Sequence, residues 1–270
     1  DRSPSRGLGD VYKRQIRCFD SEDIQNVNPD VDPIRDLEII ETEMKLADLE
    51  SIEKRLDKKN KKNLDENIFK ILEKAKQLIN NDNDLDNLKN EYDERDLKQC
   101  TLLSTKPKLY ICNVDEQSIE KGNGYTEKFI AKYGEKSTII ISAEIENQIN
   151  QLGDKIEKEK YMQMINMKET GLNNLIKKGY DLLSLETFFT SGPEESRAWT
   201  ITKNCTAPKA AGEIHTDFEK GFIRAETVSY KDFVENEGWL KARESGKMRL
   251  EGKDYICLLY TSPSPRDGLL

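Results

Sequence analysis

The chain has 270 residues, enough for two or three domains. Charged residues make up 35% of it and hydrophobic ones 36%, with a formal net charge of −8. That balance suits a chain with a large solvated surface and long exposed helices, and it argues against whole-molecule nucleic-acid binding while leaving local basic patches open. No apolar run is long enough to span a membrane, and no N-terminal segment reads as a secretory signal. Five cysteines at irregular spacing give neither a metal pattern nor a disulfide framework, so reduced thiols in a cytoplasmic protein are expected.

The two ends stand apart. Val11 to Gln15 read V-Y-K-R-Q, and Cys257 to Thr261 read C-L-L-Y-T. One DNA sequence read on its two strands encodes both, and it resembles a transposon end used in sequencing libraries. Residues 1–15 and 257–270 are therefore expected to be translated adapter and are set aside from fold reasoning.

From Cys18 to Ile24 a short strand or loop is expected. Val31-Asp32-Pro33 opens a helix, with Asp32 as N-cap and Pro33 at its first position. Leu37, Ile40, Met44 and Ala47 set its apolar face, and Leu49, Ile52 and Leu56 continue it after a phase shift, to about Lys62. A second helix carries Leu64, Ile68, Ile71, Leu72, Ala75, Leu78 and Ile79. Polar residues from Asn80 to Asn87 interrupt it before Leu85, Leu88 and Tyr92 resume the stripe. Two long amphipathic helices joined by a lysine-rich turn predict an antiparallel coiled-coil hairpin, with an ordinary bundle as the alternative. The charged faces, including Arg55, Lys58, Lys59, Lys61 and Lys62, read as solvated.

Leu109 to Cys112 is a short apolar run that predicts a buried strand over Lys108 to Cys112. Tyr125 to Tyr133 predicts a helix closed by Gly134, and Thr138 to Ile141 a second buried strand, followed by Ser142-Ala143-Glu144. Helices are expected at 155–167 and 172–183. Buried strands alternating with helices argue a parallel sheet. Short β-rich runs follow at 187–190, 197–201 and 222–228, with helical pieces at 231–233 and 238–242, which suits a small mixed sheet of roughly β-grasp type.

The first strand ends in Asn113-Val114-Asp115-Glu116. Ligands of open α/β sheets sit beyond the carboxyl ends of strands, and Asn-x-x-Asp at such a place reads a guanine through its paired N–H donors. Here Glu116 takes the last position, and adenine offers no such donor pair. On pattern alone, a plain strand-to-loop turn stands beside this reading.

Longer stretches carry a resemblance: C-F-D-S-E-D-I at Cys18 to Ile24, V-D-P-I-R-D-L-E at Val31 to Glu38, and L-A-D-L-E-S-I-E-K-R-L at Leu46 to Leu56. N-V-D-E at Asn113 to Glu116 and R-A-W-T at Arg197 to Thr200 follow. T-A-P-K-A-A-G-E-I-H-T-D-F-E-K-G-F-I-R-A-E at Thr206 to Glu226 and G-K-M-R-L-E-G-K-D-Y-I at Gly246 to Ile256 complete the set. Through them the chain resembles the Obg-like ATPase (YchF) family of P-loop NTPases over nearly all of Ile16 to Ile256.

The resemblance implies an α/β fold: a partial P-loop nucleotide-binding domain (residues 16–34 and 104–185), an inserted antiparallel helical coiled-coil hairpin (35–103) and a truncated β-grasp (TGS) domain (186–256). It implies an enzyme that binds and hydrolyses ATP in preference to GTP, with ATP and Mg2+ as cofactors, and that associates with the ribosome in translation or stress control. RNA contact through the TGS domain, a monomer rather than an oligomer, and no membrane partner are expected with it. Asn113 would face the purine and hold its loop, Val114 would pack beside the base and offer backbone groups, and Glu116 would replace the guanine-reading Asp. Ser142 and Ala143 would form the second base-side loop, with a backbone N–H reaching the purine's 6-position. No G-x-x-x-x-G-K-[ST] occurs in the chain, so the phosphate cradle and Mg2+ ligands would lie before Cys18, and the chain by itself is expected not to turn over ATP. Alternatives are a non-enzymatic ribosome- or RNA-binding module and a GTP-specific relative.

Weaker signals complete the reading. His215, the sole histidine, has Asp217 nearby but reads as structural or partner-contacting within a loop. Lys209, Lys220 and Arg224 around Phe218 and Phe222 read either as a basic-aromatic RNA surface or as a core Phe pair with solvated lysines. Glu194 and Glu195 read as surface. Cys100, Cys112 and Cys205 lack partner spacing, and Cys112 reads as packing.

Overall fold

The structure is a computed structural model, and it describes residues 12–21, 30–57, 65–192, 195–257 and 261–264. These fall into two compact units, one within Val11–Ile176 and the other within Lys177–Leu270. The division falls inside a helix, ahead of the boundary at 185 that the resemblance implies.

The first unit opens with β1 (Tyr12–Arg17), then α1 (Pro33–Leu56), α2 (Glu66–Asn80), α3 (Leu88–Glu91) and α4 (Glu94–Cys100). After these come β2 (Lys108–Asn113), α5 (Gly124–Tyr133), β3 (Thr138–Ile141), α6 (Ala143–Gln151), α7 (Lys155–Met164) and α8 (Gly171–Leu182), which runs across the division. The strands form a parallel sheet in the order β1-β2-β3. Its register pairs Arg17 with Asn113 and Asn113 with Ile141, so the three carboxyl ends lie side by side.

A short strand or loop is expected at Cys18–Ile24, and the described part, Cys18 to Ser21, is loop, while 22–24 lie outside the described residues. β1 instead includes Tyr12 to Gln15, from the stretch set aside as adapter. Strand pairing needs only backbone donors and acceptors, so the edge position makes few demands on which residues fill it.

α1 starts where its N-cap signal places it, with Asp32 Oδ1 accepting from the Ile34 and Arg35 amides at 3.1 Å each. The phase shift in its apolar stripe has a specific occupant. Met44, Asp48 and Ile52 are buried one turn apart, while Ile40 and Ala47 are exposed. The Asp48 carboxylate accepts from the Leu103 and Ser104 amides at 2.7 and 2.8 Å, which satisfies a charge placed among apolar neighbours. α1, α2 and α4 pack through Ile52, Ile68, Ile71, Leu72, Leu97 and Cys100. Arg55, expected to be solvated, donates to the Cys100 carbonyl at 2.7 Å, and Lys58 to Lys62 lie outside the described residues.

The second unit carries β4 (Leu185–Ser191), β5 (Ser196–Thr202), α9 (Ala207–Ile214), α10 (Thr216–Lys220) and β6 (Ala225–Ser229). It continues with α11 (Tyr230–Glu235), α12 (Trp239–Glu244), β7 (Arg249–Glu251) and β8 (Thr261–Ser264). The single mixed sheet expected here is two antiparallel ones, β4-β5 and β7-β6-β8. The link between β4 and β5 is too short for the crossover that parallel pairing requires. The run from Ala211 to Arg224, expected as loop, holds the second half of α9 and all of α10. Pro208 stands in the first turn of α9, where its missing N–H costs nothing. Phe188, Ile201, Cys205, Ala210 and Cys257 are buried together.

Candidate functional site

The expected purine-side residues meet at the ends of β2 and β3. Asn113 is the last residue of β2, and its Oδ1 accepts the Ala143 N–H at 2.9 Å. Its own carbonyl accepts the Cys18 N–H at 2.8 Å. One asparagine therefore links the loops after β1, β2 and β3. The Ala143 N–H, one of the backbone N–H groups of the expected second base-side loop, is committed to this bond.

Val114 also differs from its expected place. It is 2% exposed and packs with Ile16, Cys18, Leu37, Tyr110, Cys112 and Phe129, and its N–H donates to the Ile141 carbonyl at 2.8 Å. Its side chain belongs to the core beneath the loops because it continues the inward-facing side of β2. Ser142 is 1% exposed and holds the N-cap position of α6, without a side-chain cap bond. The N-x-x-E run ends in a 3-10 turn over Glu116–Ser118, closed by Asp115 Oδ1 accepting from the Ser118 amide at 2.8 Å.

Glu116 is exposed, yet its Oε1 accepts from Gln148 Nε2 on α6 at 2.7 Å. The same amide nitrogen lies 3.4 Å from Glu144 Oε1, and Gln148 Oε1 accepts from the Tyr161 hydroxyl of α7. Glu146, on the same helix, accepts the Gly171 N–H at 2.5 Å at the start of α8. A Cβ on Gly171 would lie 2.7 Å from Ile141 Cγ2, so only glycine lets α8 begin against the end of β3.

Asn123 supports the site from beneath. Its Oδ1 accepts from the Tyr125 and Thr126 amides at 3.1 Å each, capping α5, and its Nδ2 donates to the Cys18 carbonyl at 2.7 Å. Gly122 precedes it at φ +74°, where a Cβ would meet Thr126 Oγ1 at 2.4 Å. Cys18 and Cys112 are both fully buried there. The Cys18 thiol is pushed well above its ordinary range by its hydrogen bond with Cys112 and by burial, so it stays a packed thiol.

Sequence reading did not find Gln148, Tyr161, Asn123 or Glu146. A signal for α6 existed, with Ile145 and Ile149 four apart behind Ser142 at the N-cap position. Nothing local in the sequence marks Gln148 as the partner of Glu116.

Most of the weaker candidates lie in the second unit. His215 Nδ1 accepts the Asp217 amide at 3.2 Å as the cap of α10, a structural role. Phe218 and Phe222 are half-buried and Lys209, Lys220 and Arg224 exposed, so the phenylalanines are not a core pair. Glu195 is exposed, and Glu194 lies outside the described residues. Cys205 gains a neighbour that spacing did not suggest: the Cys257 N–H donates to its carbonyl at 3.0 Å, and burial pushes the Cys257 thiol up to about 12. Cys100 is buried in the helical core.

By position, the clustered loops stand at the carboxyl ends of parallel strands, the end at which open α/β sheets bind ligands. The YchF-GTPase_C family model, described as a protein of unknown function (DUF933), matches residues 185–258. A ribosome-binding ATPase YchF of Haemophilus influenzae is 41% identical over 255 residues, covering 92% of this chain and 70% of the relative. An Obg-like ATPase 1 of Pongo abelii is 36% identical over 275 residues, covering 93% of this chain and 69% of the relative. The solved YchF GTPase of Schizosaccharomyces pombe superposes with a TM-score of 0.72 at 30% identity, covering 93% of this chain and 70% of that one. The chain belongs to the Obg-like ATPase (YchF) family.

Proposed function

We propose that this chain carries the purine-recognition side of an ATP-binding, ribosome-associated P-loop NTPase, together with the segments that meet the ribosome. The observation that carries the reading is the Asn113 bridge from β2 to the Ala143 amide, which holds the two expected base-side loops at one place. Preference for ATP follows from the same bond. A guanine 6-oxo group needs a donor, and the Ala143 N–H is already engaged. An adenine 6-amino group needs an acceptor, which the Val114 carbonyl would supply.

The helical pair α1–α2 would act as the inserted coiled-coil hairpin, and the second unit as a β-grasp TGS domain meeting ribosomal RNA. Names of relatives such as "Ribosome-binding ATPase YchF" support the ribosome as partner. Mg2+ would be held mainly by the nucleotide's phosphates and by a Ser/Thr of a phosphate loop. Among the described residues no cluster of three or more His, Cys, Asp or Glu could hold a metal, and no residue named above is assigned to it. With no G-x-x-x-x-G-K-[ST] in its sequence, the chain by itself binds ATP weakly and does not hydrolyse it. That same absence favours the second reading, a ribosome-binding module indifferent to nucleotide.

Pelleting of the chain with purified ribosomes, with and without ATP, tests the proposal. Co-sedimentation that changes with ATP supports the nucleotide-coupled reading, and co-sedimentation indifferent to ATP supports the module. No co-sedimentation removes both, and metal-dependent ATP turnover well above background would overturn the predicted inactivity.

A further inference from the structure

We infer that Gln148 sets purine discrimination by holding the Glu116 carboxylate in a one-oxygen mode that a guanine cannot use. The inference rests on the purine-side reading above. A guanine presents two adjacent donors, N1–H and the 2-amino group, and a carboxylate reads them by turning both oxygens to the base edge. Glu116 Oε1 is instead drawn toward α6 by Gln148 Nε2 at 2.7 Å. That bond sets the direction of the carboxylate, and turning both oxygens squarely to a base edge would strain or break it.

The amide's orientation is dictated by its neighbours. Its nitrogen faces two carboxylates, Glu116 at 2.7 Å and Glu144 at 3.4 Å, and its oxygen receives the Tyr161 hydroxyl. Turning the amide over would aim its carbonyl at two anions, whereas the Tyr161 hydroxyl can serve as donor or acceptor. Tyr161, half-buried on α7, thus fixes Gln148, and Gln148 fixes Glu116. A ligand with two donors must displace the Gln148 bond or accept a poorer second hydrogen bond at this edge, which weakens it relative to a one-donor base. The extra methylene of Glu relative to Asp lets the carboxylate reach α6. Gln148 and Tyr161 are positioning residues, since neither need touch the nucleotide.

Inosine nucleotides test this directly, because inosine keeps N1–H and lacks the 2-amino group. NMR titration of the full chain with ATP, GTP and ITP, read at the Val114 and Ala143 amides, gives three affinities. In the wild-type chain GTP and ITP are expected to bind within about twofold of each other. Gln148→Met frees Oε1, and GTP is expected to gain roughly tenfold over ITP, the scale of one hydrogen bond to a charged group, while ATP stays nearly unchanged. Tyr161→Phe, which keeps the ring, should move the GTP/ITP ratio the same way by less. Adding Glu116→Gln to Gln148→Met should cancel the gain. A ratio unchanged in both folded single variants, or a wild-type chain that already prefers GTP over ITP tenfold, overturns the inference while leaving the purine site standing. No response to any of the three nucleotides overturns the purine-side reading and this inference with it.

Discussion

Between α1 and α4 the chain hides side chains such as Ile52, Ile71, Leu72 and Leu88, each fully buried. At the carboxyl ends of β2 and β3 the geometry comes instead from amides and carboxylates: Asn113 to Ala143, Asn123 to Cys18, Gln148 to Glu116. Apolar burial supplies most of the stability of a fold, whereas a hydrogen bond nets about 1 kcal/mol but fixes direction. Damage to the helical pair should therefore show as lost stability with intact recognition, and damage to the loop end as lost recognition with intact stability.

The largest effect is expected from Leu72→Ala, which should cost about 3 kcal/mol as a cavity in a fully buried site, measured by denaturant unfolding. Its amide response to ATP should persist under native conditions, and loss of that response in a folded variant would break the comparison. Asp48→Ala comes next, at about 2 kcal/mol, because it strands the Leu103 and Ser104 amides. Asp48→Asn, which keeps one acceptor oxygen, should recover part of that in the same measurement. Asn113→Ala is the smallest in stability, about 1 kcal/mol or less, since Ala143 is exposed and its N–H can turn to water. It should nevertheless abolish the ATP-induced shifts at Val114 and Ala143, and retention of those shifts would remove the bridge as the basis of the site.

The elements most legible in the sequence were those whose signals are local. β3 lies at Thr138–Ile141 as its apolar run predicts, and α5 ends at Gly134, whose φ of +87° is the reason a glycine stands there. Asp32 caps α1 as its position before Pro33 suggests. What escaped was set by partners distant in the chain. Asp48 looks like a break in a stripe until Leu103 and Ser104 are seen against it. α6 begins at the residue read as a loop, and its Gln148 matters only through Glu116 and Tyr161. In the candidate site, residue types were readable from the motif, but the engagement of the Val114 and Ala143 N–H groups was not. β1 was missed because Tyr12 to Gln15 had been set aside as adapter.

The bond from Asp48 to two consecutive amides also has a mechanical side. It sits two-thirds of the way along α1 and grips the chain just ahead of β2, whose first residue, Lys108, is tied back to Glu41 of the same helix at 2.9 Å. Two clamps a few residues apart tie α1 to the root of β2. A push on the far tip of the helical pair would be delivered as torque on β2, and so to Asn113 at its other end.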